Sequence, residues 1–216
     1  MGFSINCIEI LISDEKVLKE SSYLYKNLYT EIDLRKSKKI LLNDYYYEDS
    51  ETLELRKNEK RLASDLFFDK NTNIQLIVGK NGSGKSTLMD LMYGAINNFS
   101  YMFERGKNRL GAEKLYFISN LYVNIYFSIS NSNKHDGEYV LICKNETVQL
   151  KKDSEIIKDF SLNENPETDS KNDNDIIQLV ESFFYTIVTN YSMQSFIYSN
   201  YLGKMKVCGF LRVLKK

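Results

Sequence analysis

A glycine-rich segment at residues 79–87, with the sequence GKNGSGKST, constrains the fold of this chain more than any other feature. It contains the pattern G-x-x-x-x-G-K-[ST], and both flanks fit that pattern. Residues 74–78 (IQLIV) form a short apolar run that is typical of a strand, and residues 88–93 (LMDLMY) have the apolar spacing of a helix. A strand, a glycine-rich loop and a helix in this order form the context in which the pattern holds phosphate groups. The alternative interpretation is an ordinary glycine turn between a strand and a helix.

The chemistry of a triphosphate explains the spacing of the loop residues. Glycines lack Cβ, so the loop can turn tightly and present successive N–H groups to an anion, and the positive end of the following helix adds to them. Lys85 is predicted to reach the β- and γ-phosphates, and the Ser86 hydroxyl to ligate the Mg²⁺ that bridges them. The predicted nucleotide-binding residues are Gly79, Lys80, Asn81, Gly82, Ser83, Gly84, Lys85, Ser86 and Thr87.

Composition limits the other classes of function. The 216 residues are enough for one domain with a sizeable core. The formal net charge is zero, which does not support nucleic-acid binding by the whole surface, although a local basic face remains open. No apolar run approaches about 18 residues, so no membrane span is expected. Three cysteines without a C-x-x-C pair argue against a disulfide framework and a zinc site, and a reducing cytoplasm is the simplest setting.

The rest of the sequence predicts a mixture of strands and helices around the loop. The triple tyrosine Tyr45–Tyr47 is interpreted as half-buried strand aromatics rather than as a base-stacking surface. Residues 50–66 are predicted as a helix or polar connection, and residues 153–175 as a flexible polar excursion. The predicted strands are 3–12, 21–34, 40–47, 74–78, 185–189 and an antiparallel meander of 114–119, 121–130, 138–144 and 147–151; the predicted helices run from near Lys85 toward Phe103, over 175–184 and over 192–201.

The segment GKNGSGKSTLMDLMYG at residues 79–94 resembles the P-loop of ABC-class ATPases. It is most similar to the SMC-like and DNA-repair branch and to the related ATPases of bacterial anti-phage and retron-associated systems. The resemblance extends more loosely to residues 115–151, at the position of the antiparallel β-subdomain of those proteins, and to residues 184–192. It implies an α/β P-loop NTPase fold, namely lobe I of an ABC-ATPase-like head with a β-subdomain. It also implies ATP and Mg²⁺ as cofactors and a role in DNA-linked or anti-phage defence complexes.

The chain departs from that family in the parts that perform hydrolysis. Downstream of Thr87 no run of four apolar residues ends in Asp followed by Glu, so a Walker B strand is absent from the sequence. An LSGGQ-like signature is absent too, and the single histidine, His135, lies in a polar turn. No catalytic residue is therefore predicted. Residues 1–203 are expected to be an incomplete, N-terminal portion of such an ATPase domain, with impaired hydrolysis, and a second copy or a partner protein would complete the ATP site.

Residues 204–216 differ from the rest because they contain basic residues and no acidic ones. They are predicted to be an atypical basic tail. Two interpretations stay open: a basic terminal strand or tail, and the product of a frameshift.

Three other functions are compatible with the loop. A GTPase is suggested by residues 133–136, NKHD, which match N-K-x-D; no D-x-x-G motif lies between them and the loop, and a hairpin turn is the favoured interpretation. A small P-loop kinase would need an arginine-bearing lid, whereas only Arg105, Arg109 and Arg212 follow the loop. A non-catalytic interaction module that retains the loop is the third alternative.

Overall fold

The computed structural model describes residues 2–11, 19, 24–25, 37–59, 78, 81–105, 116–130 and 136–164. The elements in these ranges are β1 (Gly2–Ile10), β2 (Lys38–Leu41), β3 (Tyr46–Glu48), β4 (Leu55–Lys57), α1 (Lys85–Arg105), β5 (Tyr122–Ser130), β6 (Gly137–Lys144), β7 (Thr147–Lys152) and β8 (Glu155–Ser161). The elements predicted over residues 175–184, 185–189 and 192–201, the tail 204–216, and His135 lie outside the described residues, as do residues 74–77 of the predicted strand before the loop.

Six of the strands form one antiparallel sheet in the order β2-β1-β5-β6-β7-β8. Strands β5 to β8 follow one another as a meander, which confirms the meander predicted over 121–130, 138–144 and 147–151. Its tight turns use residues that tolerate a left-handed backbone: Asn145 has φ 53° between β6 and β7, and Asp153 has φ 46° between β7 and β8. Strand β2 lies at one end of the sheet, but the single strand predicted over 40–47 is wrong: residues 42–45 are not in a strand, and they separate β2 from β3, which belongs to another sheet.

The core lies between one face of this sheet and helix α1. Alternation along β5 places Val123, Ile125, Phe127 and Ile129 on the helix-facing side, where they are buried. Helix α1 contacts β5, β6 and β7. Its buried apolar residues recur at helical spacing, which confirms that its methionine and aromatic residues are core residues rather than a ligand site: Leu88, Leu91, Met92, Ala95, Phe99 and Met102. The loop that precedes α1 is therefore attached to a rigid sheet through its helix.

The other face of the sheet carries the two-stranded β3–β4 hairpin. The hydroxyl groups of Tyr45 and Tyr46 donate to the carboxylate of Glu138 at 2.7 and 3.1 Å, and Lys57 forms an ion pair with the same carboxylate. The ring of Tyr46 also contacts that of Tyr126 edge to face, at 5.8 Å between centroids. The interpretation of Tyr45 and Tyr46 as packed aromatics is therefore confirmed, whereas Tyr47 is 45% exposed.

Several local predictions were wrong. Residues 155–161 form strand β8 rather than a flexible excursion, because Phe160 packs on Phe99 while charged neighbours face outward. Residues 55–57 form β4 rather than a helix or polar connection, since they pair with β3. Residues 116–119 are not a strand, and residues 24–25 form a turn rather than part of a strand.

All pairs among the described strands are antiparallel, whereas a P-loop NTPase fold is built on parallel strands. Val78, the one described residue of the predicted strand 74–78, is not in a strand and is 76% exposed. The α/β P-loop NTPase fold with an ABC-ATPase-like head thus stays a prediction. Within the described ranges, no helix combines the length and the apolar character needed to cross a membrane.

Candidate phosphate-binding site

The loop before α1 has the backbone conformation that its glycines predict. Gly82 has φ 80° and Gly84 has φ 84°, values that L-residues with a side chain adopt at a cost of roughly 1–2 kcal/mol. Both residues lie in the turn of residues 81–84 that leads directly into the helix. Gly79 and Lys80 lie outside the described residues. Backbone geometry therefore favours glycine at position 84, the second glycine of the pattern, and also at position 82.

Helix α1 begins at Lys85, immediately after this turn. The N–H of Leu88 donates to the carbonyl of Gly84 at 2.9 Å, which is the first hydrogen bond of the helix. In an α-helix the N–H groups of the first turn have no carbonyl partner within the helix, and the helix dipole places positive charge there. The first turn of α1 contains no acidic residue that would compete with an incoming anion. The geometry at Gly84 and Lys85 therefore favours anion binding.

The side chains of the loop differ in their access to solvent. Asn81, Ser83 and Ser86 are exposed, and Lys85 is half-buried. Thr87 is 8% exposed, so its side chain lies largely within the protein. The Ser86 hydroxyl is thus accessible for the predicted role as a Mg²⁺ ligand.

Sequence reasoning missed a polar stripe along α1, which consists of Ser86, Asp90, Tyr93, Asn97 and Ser100. The intervals of three and four residues put these side chains on one face of the helix, opposite the apolar face that packs on the sheet. The stripe runs from the exposed Ser86 to Tyr93 and Ser100, which are 4% and 1% exposed. The spacing of polar residues within the apolar pattern is the signal that could have revealed it.

Three buried oxygen atoms of the stripe have no hydrogen-bond partner within the described part of the chain: Asp90 Oδ1, Tyr93 Oη and Ser100 Oγ. Burial raises the pKa of Asp90. Burial, and secondarily the charge of Asp90, raises the pKa of Tyr93 to about 12. Asp90 and Tyr93 thus lie on the same helix face, one and two turns beyond Ser86.

Two asparagines connect α1 to the segment before β5. The amide of Asn98 donates to the carbonyl of Ile118 at 2.8 Å and accepts from its N–H at 2.8 Å, and the amide of Asn97 donates to the carbonyl of Tyr116 at 2.9 Å. These bonds replace the strand pairing that was predicted for this segment. They also fix the position of the helix that carries the loop.

A second buried polar cluster lies on the far side of the sheet, around Glu9. The Glu9 carboxylate accepts hydrogen bonds from Ser37, Asn124 and Tyr126 at 2.7–2.9 Å, and Lys39 Nζ lies 3.5 Å from it. Burial alone would raise the pKa of Glu9; the three hydrogen bonds and the charge of Lys39 outweigh it and lower the pKa below its ordinary value. Both oxygens of Glu9 are occupied by these partners, so we interpret the cluster as structural.

The described residues contain no group of three or more His, Cys, Asp or Glu side chains arranged to hold a metal ion. A Mg²⁺ ion of the predicted kind would instead take the Ser86 hydroxyl together with phosphate oxygens and water. Of the N-K-x-D residues, Asp136 is described and is exposed next to β6, whereas 133–135 lie outside the described ranges.

No protein-family model, curated protein or solved structure matches this chain.

Proposed function

We propose that residues 79–87 bind the phosphates of ATP with Mg²⁺, and that this chain is the nucleotide-binding part of an ABC/SMC-like ATPase. The observation that carries the proposal is structural: Gly82 and Gly84 have a left-handed backbone conformation, and a 21-residue helix begins directly after them at Lys85. That arrangement aims backbone N–H groups and the helix dipole at one point, with a lysine beside it. A triphosphate is the anion for which G-x-x-x-x-G-K-[ST] is typical.

Two side chains have separate roles in this proposal. Lys85 contributes a positive charge toward the β- and γ-phosphates, and Ser86 supplies the one protein oxygen in the first coordination sphere of Mg²⁺. Backbone N–H groups hold the remaining phosphate oxygens. Binding therefore depends on Lys85 with or without metal, and on Ser86 chiefly when Mg²⁺ is present.

We expect this chain to bind ATP with little hydrolysis of its own. Within the 216 residues no Walker B strand and no signature motif follows the loop. A second copy or a partner protein would supply the group that polarises water. The resemblance of residues 79–94 supports the further proposal that such an assembly serves DNA-linked or anti-phage defence.

Calorimetric titration of the purified chain with ATP in MgCl₂ tests the proposal. Lys85→Ala is expected to weaken binding by roughly 1.5–3 kcal/mol, or about 10- to 150-fold, because it removes a charge-assisted contact. Lys144→Ala is the matched control, since Lys144 is exposed on β6 in a different part of the protein. Equal affinities of the wild type and Lys85→Ala would contradict the assignment of the site.

Titration with GTP separates the two nucleotide classes. An ATPase-type site is expected to bind ATP at least as tightly as GTP, whereas a site that uses residues 133–136 to recognise guanine would prefer GTP. Phosphate release measured on the same samples tests the expectation of slow turnover. Turnover at about 1 s⁻¹ or faster by this chain alone would contradict it.

A further inference from the structure

We propose that Asp90 positions the nucleotide-bound Mg²⁺ by accepting a hydrogen bond from one of its water ligands; this inference rests on the proposed ATP site. Asp90 lies four residues after Ser86 on α1, so the two side chains share a helix face with Cβ atoms about 5–6 Å apart. Mg²⁺ keeps several water ligands when a protein supplies one or two oxygens. A water molecule bound to a cation at Ser86 would bridge this distance to the Asp90 carboxylate.

The hydrogen-bonding state of Asp90 is the observation that points to a missing donor. Its Oδ1 atom is buried and has no partner in the described part of the chain, while the residue as a whole is only half-buried. A buried carboxylate oxygen without a donor is costly, and such groups concentrate at functional sites. A metal-bound water is a strong donor, and it arrives together with the positive charge that favours the ionised carboxylate.

The surroundings of Asp90 support a site that continues inward from the loop. Tyr93, one turn further along the stripe, is 4% exposed and its hydroxyl is also without a partner among the described residues. Asp90 and Tyr93 are three residues apart and therefore share one face of the helix. The opposite face of α1 carries the apolar residues that pack on the sheet. The Asp90 carboxylate therefore has no part in that packing.

The structure thus assigns Asp90 a positioning role toward the cation and no contact with the phosphates. A residue of this kind orients the ligands of a metal without binding the metal directly, and its loss typically lowers metal affinity about 10- to 100-fold. The effect should be confined to the metal-dependent part of nucleotide binding.

The test compares ATP affinity in excess EDTA with ATP affinity in MgCl₂ for the wild type, Asp90→Asn and Asp90→Ala. The ratio of the two affinities measures what Mg²⁺ adds. Asp90→Ala, which removes the acceptor, is expected to reduce this ratio about tenfold or more; Asp90→Asn, which keeps an acceptor oxygen but loses the charge, should reduce it less, and both should leave the affinity in EDTA unchanged. Asp159→Asn is the matched control because Asp159 is exposed on β8 and its acceptor oxygen for Gln149 survives the substitution. Mn²⁺ binding in the presence of ATP, followed by electron paramagnetic resonance, gives a second readout of the same loss.

The outcomes separate this inference from the proposed function. If the wild type binds no ATP in either buffer, the proposed function fails and the role of Asp90 fails with it. If the wild type binds ATP with a Mg²⁺ enhancement that Asp90→Ala retains in full, the ATP site stands and the role of Asp90 is wrong. If Asp90→Asn weakens binding equally in EDTA and in MgCl₂, Asp90 has a structural role only and the inference is overturned.

Discussion

Asn98 and Ile118 exchange two hydrogen bonds, in which the side-chain amide of Asn98 pairs with both the N–H and the carbonyl of Ile118 at 2.8 Å. An amide side chain thereby satisfies a backbone segment that belongs to no strand. Asn98 is fully buried and Ile118 is half-buried, so the Asn98 amide has no access to water if Ile118 moves away. The helix that begins at the loop and the strand meander are joined at this point.

Asn98→Ala is expected to destabilise the protein by about 1–3 kcal/mol, because it removes two hydrogen bonds to the partly buried backbone of Ile118. Denaturant unfolding monitored by circular dichroism measures the loss. Asn163→Ala is the control: Asn163 is exposed, its bond to Glu146 is accessible to water, and its loss should change stability by less than about 0.5 kcal/mol. A small effect at Asn98 would contradict the conclusion that this pair fixes the position of α1.

The sequence alone predicted the parts of the fold in which local pattern and tertiary packing agree. The helix from Lys85 was predictable because its apolar residues recur at helical spacing after a glycine turn. The meander was predictable because β5, β6 and β7 alternate and are separated by short turns. Of the predicted site residues, 81–87 lie in the turn and first helical turn as expected, whereas Gly79 and Lys80 lie outside the described residues.

The missed elements depend on contacts between residues that are distant in sequence. Strand β8 exposes charged residues together with Ile156 and Ile157, and it is held by pairing with β7 and by the contact of Phe160 with Phe99. The segment at residues 116–118 is extended, yet its hydrogen bonds go to asparagine side chains on α1. Asp90 was missed as a site residue because a single acid within a helical pattern gives no sign of whether its carboxylate has a partner.

Glu9→Gln is expected to destabilise the protein by about 1–2 kcal/mol at pH 7, because it removes a charged acceptor of three hydrogen bonds, while Lys39 keeps its ion pair with Glu48 at 3.3 Å. The hydrogen bonds and Lys39 lower the pKa of Glu9 relative to the unfolded chain. A lowered pKa means that the stabilisation is present above the unfolded pKa of about 4.3 and is lost as pH falls through the folded pKa.

The wild type should therefore lose stability steadily as the pH is lowered from about 5 toward 3, and Glu9→Gln should show a shallower decline. Urea unfolding at a series of pH values measures both curves. Parallel curves for the two proteins would show that Glu9 does not titrate with a lowered pKa.

Gly82→Ala is expected to lower stability by about 1 kcal/mol, since φ 80° is strained for alanine although no atom lies within 4 Å of the added Cβ. Gly82→Asn should cost less, because asparagine tolerates a left-handed backbone. Thermal unfolding of both variants, with Ser83→Ala as an exposed neighbour that lacks this strain, tests the order. A higher melting temperature for Gly82→Ala than for the wild type would show that the loop does not hold this conformation in solution.

Asp90→Asn is expected to raise the melting temperature at pH 7. Burial raises the pKa of Asp90 in the folded protein. The ionised form is therefore unfavourable in the fold, and stability falls as pH rises from the unfolded pKa of about 3.9 through the raised folded pKa.

At pH 3 both the folded and unfolded chains hold the proton, so the advantage of asparagine should disappear there. The comparison must be made between variant and wild type at each pH, because Glu9 shifts the stability of both in the opposite direction. A gain that is equal at pH 3 and pH 7, or a loss at pH 7, would contradict the raised pKa. Asp90→Asn could gain stability and also lose part of the Mg²⁺ enhancement of ATP binding. Both results together would mean that the carboxylate destabilises the empty protein and stabilises the metal-bound protein. This trade-off is expected of a group positioned for a ligand.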